Sequence, residues 1–118
     1  AYEGRDTWGD YRATVELSDR MSVEWDRFAR RWKEHMDERG RHHALARPDD
    51  VETWSAELVG RFSVDRAYQH WNVIEGFYDW LLWHTEHQHA YNPFHMAVVD
   101  PEGSARQIWN RKLEKANE

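Results

Sequence analysis

The chain has 118 residues, no cysteine and a net charge of −6 at neutral pH. This length suits one small domain, and an apolar fraction of 40% with eight tryptophans can form a hydrophobic core. The absence of cysteine excludes a disulfide framework and any thiolate metal site. No apolar run reaches the roughly 20 residues of a membrane span, and the N-terminal residues lack a signal-peptide core. We therefore expect a cytoplasmic protein with no membrane partner.

Charge is segregated along the chain. Residues 20–47 carry eight Lys or Arg against five acids, whereas residues 75–103 carry five acids and no Lys or Arg. The acidic total argues against a nucleic-acid partner, because duplex binding depends on basic residues that displace counterions from phosphates, but the basic segment weakens this objection. Thirteen Arg against three Lys within an acidic total favour a halophile, such as a haloarchaeon, in whose cytoplasm salt screens ordinary electrostatics.

The predicted elements at the N-terminal side are two helices. A short leading helix suits the spacing of Thr7, Trp8, Tyr11 and Val15. The next helix has its apolar residues three and four apart, at Trp25, Phe28, Trp32 and Met36. Ser22 is its predicted N-cap, and Gly40 lies just past its end.

A third helix is predicted to begin at Pro48, after the basic loop of residues 41–47, and to end before Gly60. The longest helix is predicted to follow Ser63, a natural N-cap, and to end between Thr85 and Tyr91, ahead of Asn92-Pro93. Its apolar face comprises Val64, Ala67, Tyr68, Trp71, Ile74, Phe77, Tyr78, Leu81 and Leu82. Its polar face comprises Asp65, Arg66, Gln69, His70 and Asp79.

The last predicted helix has Asp100 as its cap and Pro101 at its first position, with an apolar face at Ala105, Ile108, Trp109 and Leu113. Amphipathic helices joined by short connections, with almost no strand signal, predict an all-α fold. We expect a compact bundle of four to five helices.

Several features of this helical order recur in a known family. A first long helix ends in a glycine, Gly40, a second begins after a turn and carries Asp50-Val51 in its first turn, and a third has an aromatic end. That end is Phe77, Tyr78, Trp80 and Leu81, and Asn92-Pro93 follows. In these features the chain resembles the N-terminal core-binding domain of tyrosine recombinases, the SAM-like domain of phage integrases and Xer-type enzymes. The resemblance covers about residues 22–94. It implies a lead segment at 1–21, a helical core-binding domain at 22–99 and a C-terminal helix at 100–118 leading toward a catalytic domain.

The resemblance implies a protein that clamps double-stranded DNA and positions it for integration or recombination, together with sister protomers. The family's catalytic Arg, His-x-x-Arg box and Tyr nucleophile have no room in this chain, and no His-x-x-Arg sequence occurs in it. We therefore expect a fragment of a recombinase or a stand-alone relative that does not itself cut DNA. No cofactor is implied.

The predicted DNA contacts are basic and polar residues of the loop at 41–47 and of the start of the longest helix. Helix N-termini bind phosphates, and Arg or Gln side chains read guanine or adenine edges. The residues are Arg41, His43, Arg47, Arg61, Ser63, Arg66, Gln69 and His70. The alternative for them is an ordinary solvated surface. A further basic set at Arg106, Arg111, Lys112 and Lys115 suits either DNA or the dipole of its own helix.

Two other features of the sequence bear on function classes other than DNA binding. His84, His87 and His89 with Glu86 resemble a metal cluster, but the His-Glu-x-x-His spacing is absent, so no metal site is predicted there. No phosphate loop or nucleophile elbow supports an enzyme of another class. The main alternative function is a small helical protein-interaction module that uses exposed aromatic residues such as Trp80 and Trp83.

Overall fold

The computed structural model describes residues 4–83 and 91–118, and the regular structure within these ranges is entirely α-helical. The helices are α1 (Thr7–Arg12), α2 (Asp19–Glu38), α3 (Pro48–Arg61), α4 (Val64–Trp83), α5 (Pro93–Ala97) and α6 (Ser104–Ala116). The predicted all-α class is confirmed, and the described ranges contain six helices where four to five were predicted. Within the described ranges, no helix is long and apolar enough to cross a membrane.

The helix missed by the sequence prediction is α5. Asn92 caps it by accepting a hydrogen bond from the Phe94 backbone N–H at 2.9 Å, and Pro93 occupies its first turn. Asn-Pro was interpreted only as the end of the preceding helix. Both interpretations use the same proline property, because a residue that cannot continue one helix is well suited to begin another.

The chain divides into two compact units, Ala1–Ala46 and Arg47–Glu118. This division does not coincide with the predicted domain boundaries at residues 22 and 100. The lead segment joins the first unit, since Lys33 of α2 forms an ion pair with Asp6 at 2.8 Å. The C-terminal helix joins the second unit, since α6 packs against α3 and α4.

In the first unit, the predicted leading helix is confirmed as α1. Trp8, Tyr11 and Trp25 form an aromatic cluster with ring centroids 5.5 to 6.0 Å apart. Helix α2 begins one turn earlier than predicted. Its N-cap is Ser18, whose hydroxyl accepts from the Met21 N–H at 3.2 Å. Ser22, the predicted cap, instead accepts a hydrogen bond from the Arg12 guanidinium at 2.7 Å.

In the second unit, α3, α4, α5 and α6 pack against one another around an aromatic core. Phe94 of α5 contacts Trp54, Trp71 and Tyr78 at centroid distances of 6.4, 5.1 and 5.6 Å. The predicted start of α3 at Pro48 is confirmed. The predicted apolar stripe of α4 is confirmed at its core positions, which are Ala67, Trp71, Ile74, Phe77, Tyr78 and Leu81. The predicted end of α4 lies outside the described residues.

The start of α6 differs from the prediction. Asp100 accepts from the Glu102 N–H at 3.0 Å, and the helix begins only at Ser104. Its first N–H groups, of Ser104 and Ala105, donate to the carboxylate of Glu52 at 2.8 and 3.0 Å. Glu52 lies on α3, so α6 is capped by a side chain from another helix.

Candidate functional site

The start of α4 carries the best-assembled group of predicted contact residues. Ser63 is confirmed as its N-cap, because the Ser63 hydroxyl accepts from the Arg66 N–H at 3.2 Å. The serine is exposed, and its own O–H can still donate to a ligand. Three residues apart on the polar face, Arg66 donates through Nη1 to Oε1 of Gln69 at 2.8 Å.

Arg61 is held just ahead of this helix start by an aromatic stack. Its guanidinium lies over the ring of Phe62, 5.1 Å from the centroid. The Phe62 ring in turn stacks on His70 at 4.9 Å with an interplanar angle of 26°. The Arg61 guanidinium therefore packs on Phe62, and Phe62 packs on the buried His70.

The prediction that His70 lies on the polar face of α4 is wrong. His70 is fully buried, and its Nδ1 donates to the Arg66 carbonyl at 2.9 Å. The position itself explains this: residue 70 comes three after Ala67 and seven before Phe77, which places it on the core side of the helix. The polar character of histidine favours the opposite face, but the helical position of residue 70 places it in the core.

The basic loop at 41–47 is tied into its own unit. His43 Nε2 accepts from the Trp8 backbone N–H at 3.1 Å, and only 11% of its side chain is exposed. Burial, together with the nearby His42 and Lys33, lowers the pKa of His43 to about 4. His43 is therefore uncharged at neutral pH, so it would contact DNA as a neutral ring and not as a cation.

The remaining predicted contacts are not brought together with the α4 start. Arg41 is half-buried in the first unit. Arg47 is exposed at the beginning of α3, whereas Arg61 ends that helix. A helix of this length separates the two arginines by about 20 Å.

Cations of α6 neutralise an acid in the first turn of α4. Arg111 Nε lies 2.5 Å from Oδ1 of Asp65, and Lys115 Nζ lies 3.7 Å from the same oxygen. The hydrogen bond from Arg111 lowers the pKa of Asp65 below its usual value of 3.8. The basic C-terminal set is thus engaged largely within the protein, while the negative charge beside Arg66 is compensated.

A polar cluster that sequence reasoning missed lies where α4, α5 and α6 meet. Glu75, only 3% exposed, accepts from Lys112 Nζ through Oε1 and from His95 Nε2 through Oε2, both at 2.6 Å. Asp79 lies one turn further along α4 and accepts from Asn92 Nδ2 at 2.9 Å. The spacing of Glu75 and Asp79 was a visible signal, but His95 joins them only through the fold.

Glu75, Asp79 and His95 offer three possible metal ligands whose donor atoms all lie within 4.8 Å of one another. The other histidine group considered from the sequence, at His84, His87 and His89, lies outside the described residues.

No family model, curated protein or solved structure matches this chain.

Proposed function

We propose that this protein binds double-stranded DNA and positions it, in the manner of the tyrosine-recombinase core-binding domains that its sequence resembles. The observation that carries the proposal is the surface formed by Arg61, Ser63, Arg66 and Gln69 at the start of α4. We name these four residues the α4 entry surface. The proposed role is to hold the duplex, and no bond cleavage is assigned to it.

Arg61 and Ser63 are the proposed phosphate-binding part of the α4 entry surface. The Arg61 guanidinium packs over the Phe62 ring, which stacks on the buried His70. A cation held in place before binding loses less conformational entropy on contact than a mobile one. The N-terminal end of a 20-residue helix adds a favourable dipole for phosphate.

Arg66 and Gln69 are the proposed base-reading part. Both belong to the polar face, and their mutual hydrogen bond holds the two side chains side by side. Arg can donate two hydrogen bonds to guanine, and Gln can form two with adenine. If the hydrogen bond between Arg66 and Gln69 opens on DNA, the two side chains can therefore recognise two different bases. Base contacts of this kind select sequence, whereas phosphate contacts only fix register.

The acidic total charge is compatible with this proposal because of where the neighbouring acid lies. Asp65 is the acid nearest to Arg66 in sequence, and Arg111 and Lys115 neutralise it. The pairing of Asp65 with Arg111 and Lys115 therefore reduces the repulsion that its carboxylate would exert on a phosphate near Arg66.

The experiment is a fluorescence-anisotropy titration of labelled duplexes with the full chain over a series of KCl concentrations. Each phosphate neutralised adds about 0.9 to the slope of log affinity against log salt. Arg61→Ala should weaken binding and reduce the magnitude of that slope by about one, because Arg61 is the proposed phosphate contact. Arg66→Ala should weaken binding as well, because it removes a proposed base contact. The matched control is Arg20→Ala, which removes an exposed arginine from the other unit.

Salt-dependent binding that is weakened by Arg66→Ala and by Arg61→Ala, and not by Arg20→Ala, supports the proposal. An equal loss of duplex affinity in all three variants would mean that binding depends only on the net charge of the protein, which would contradict the proposed surface. No duplex affinity at any salt concentration would refute it.

Gln69→Ala separates sequence reading from general attraction. This substitution removes an adenine reader without changing the charge, so the salt slope should stay constant. The preference between a cognate and a scrambled duplex should fall by about 1 to 3 kcal/mol, the range for one bidentate base contact. Competition titrations with the two unlabelled duplexes measure this difference.

A protein-interaction module is the second candidate, and one observation favours it. Trp83 is 84% exposed at the end of the described part of α4, which is unusual for so large an apolar side chain. If the chain fails to bind DNA, Trp83→Ser should abolish association with a partner protein or a sister protomer, as measured by sedimentation velocity. Met21→Ser, at another exposed apolar residue, is the control.

A further inference from the structure

We propose that Glu75, Asp79 and His95 bind a divalent transition-metal ion, separately from any DNA contact. We call these three residues the 75–79–95 site. It lies in the second unit, between α4 and α5, and shares no residue with the α4 entry surface.

The first argument is the geometry of the donor atoms. Glu75 and Asp79 are one helical turn apart on α4 and therefore share a face. His95 approaches them from α5, and its Nε2 lies 2.6 Å from Oε2 of Glu75. The three donor atoms lie within 4.8 Å of one another, a distance that small side-chain rotations can close around an ion with bonds of about 2.0 to 2.2 Å.

The second argument is that outer partners orient both carboxylates. Lys112 bonds to Oε1 of Glu75, and Asn92 bonds to Oδ1 of Asp79. Each carboxylate therefore has one oxygen held by a neighbouring helix or loop, while its second oxygen can face an ion. Partners that hold the remote atoms of ligands in this way are a regular part of metal sites.

The third argument is charge. Lys112 balances the charge of the buried Glu75. A second carboxylate, Asp79, stands on the same face one turn away, and like charges at this spacing destabilise a helix. A cation bound between Glu75 and Asp79 would offset this repulsion.

The ligand set indicates the class of ion. One imidazole nitrogen with two carboxylate oxygens suits zinc and its first-row neighbours, whereas magnesium prefers oxygen ligands alone. The His95 side chain is 44% exposed, which leaves a route from solvent to the site. On binding, Nε2 of His95 exchanges its hydrogen bond to Glu75 for the metal, and the displaced proton moves to Nδ1 or to solvent.

The test is isothermal titration calorimetry of the full chain with zinc chloride, and with magnesium chloride as the negative control. All variants carry His84→Gln, His87→Gln and His89→Gln, so that the other histidine group of the chain cannot contribute. In this background we expect one zinc per chain and no magnesium binding. His95→Gln and Asp79→Asn should each weaken zinc binding at least about tenfold, and Glu102→Gln, an exposed acid outside the site, should not.

Circular dichroism of each variant establishes that it is folded. If a variant is not folded, its zinc titration is replaced by an NMR measurement on the background protein. In that measurement, the imidazole nitrogen resonances are recorded with and without zinc, and zinc should shift the Nε2 resonance of His95. The proposal is overturned if the background protein binds no zinc, if His95→Gln binds zinc undiminished, or if the His95 resonances do not move.

Discussion

His43 shows how position changes the chemistry of one residue. In the sequence it belongs to a basic loop, and this position predicts a residue that can carry a positive charge. In the fold it lies beside Lys33 and His42, accepts a hydrogen bond from the Trp8 N–H, and is mostly removed from water. Protonation would place a buried charge next to a cation and break that hydrogen bond, so the neutral ring is the stable form.

The lowered pKa of His43 predicts that acid destabilises the protein. The unfolded chain takes up this proton near pH 6.5, whereas the folded chain takes it up only near pH 4, so stability falls as the pH drops through this window. At about 1.4 kcal/mol per pKa unit, a shift from 6.5 to about 4 should lower the free energy of unfolding by about 3 kcal/mol.

Urea denaturation at a series of pH values measures this loss. His43→Gln keeps an acceptor for the Trp8 N–H but does not titrate, so its stability should depend less on pH across the same window. Identical pH dependence in the wild-type protein and in this variant would contradict the assignment.

Trp71 is a large residue in the aromatic core of the second unit. It is fully buried between Phe94 and Trp109, at centroid distances of 5.1 and 6.2 Å. Trp71→Ala should lower the free energy of unfolding by about 3 to 5 kcal/mol because it leaves a large cavity. Trp71→Phe should cost less, since the indole Nε1 has no hydrogen-bond partner among the described residues. Chemical denaturation compares both with Leu113→Ala, an exposed position that should change stability by less than about 0.5 kcal/mol.

At the scale of elements, the helices begin where side chains satisfy their first N–H groups, and those side chains are not always local. Ser18, Ser63 and Asn92 cap the helices that directly follow them. Helix α6 instead takes its cap from Glu52 of α3. This contact fixes the start of α6 against α3 as well as completing its hydrogen bonds.

The Glu52 cap predicts a specific coupling with Gly103. Glu52→Ala should destabilise the protein by about 1 to 2 kcal/mol, as expected for a lost cap. Glu102→Ala removes an equal charge near the same helix start and should cost much less. A side chain at position 103 would place its Cβ 2.6 Å from Oε1 of Glu52, so Gly103→Ala should displace the cap. In a double-mutant cycle, Gly103→Ala should therefore cost little once Glu52 is Ala. Additive losses would contradict the coupling.

At the scale of the whole molecule, charge is the dominant feature. The net charge of −6 produces self-repulsion that salt screens. The melting temperature should therefore rise as KCl increases from low to high concentration, in keeping with the arginine-rich, acidic composition. A melting temperature that falls with KCl would show that screened ion pairs, such as Arg111–Asp65, outweigh the repulsion. Differential scanning calorimetry measures the change.

Much of the helical content could be predicted because helices depend on local rules. The periodicity of Trp71, Ile74 and Phe77, the Pro48 start and the Ser63 cap are all confirmed. The predictions were wrong or incomplete where the same residues are compatible with two local structures. Ser18 and Ser22 could both cap α2, and Asn92-Pro93 could both end one helix and begin another.

The candidate sites were only partly predictable. The α4 entry surface was largely visible, because Ser63, Arg66 and Gln69 follow one another at helical spacing and stay on the exposed side. The 75–79–95 site was not visible, because His95 and Lys112 lie far from Glu75 in sequence.

The amino-acid sequence by itself determined that this protein is helical, where its main helices run and which aromatic residues fill its core. These properties follow from hydrophobic periodicity and from backbone rules for Pro, Gly and Ser, which act over a few residues. The tertiary structure alone decided the charge state of His43, the burial of His70, the cap of α6 and the meeting of Glu75, Asp79 and His95. Each of these depends on desolvation or hydrogen bonding between distant segments, and such contacts exist only once the chain has folded.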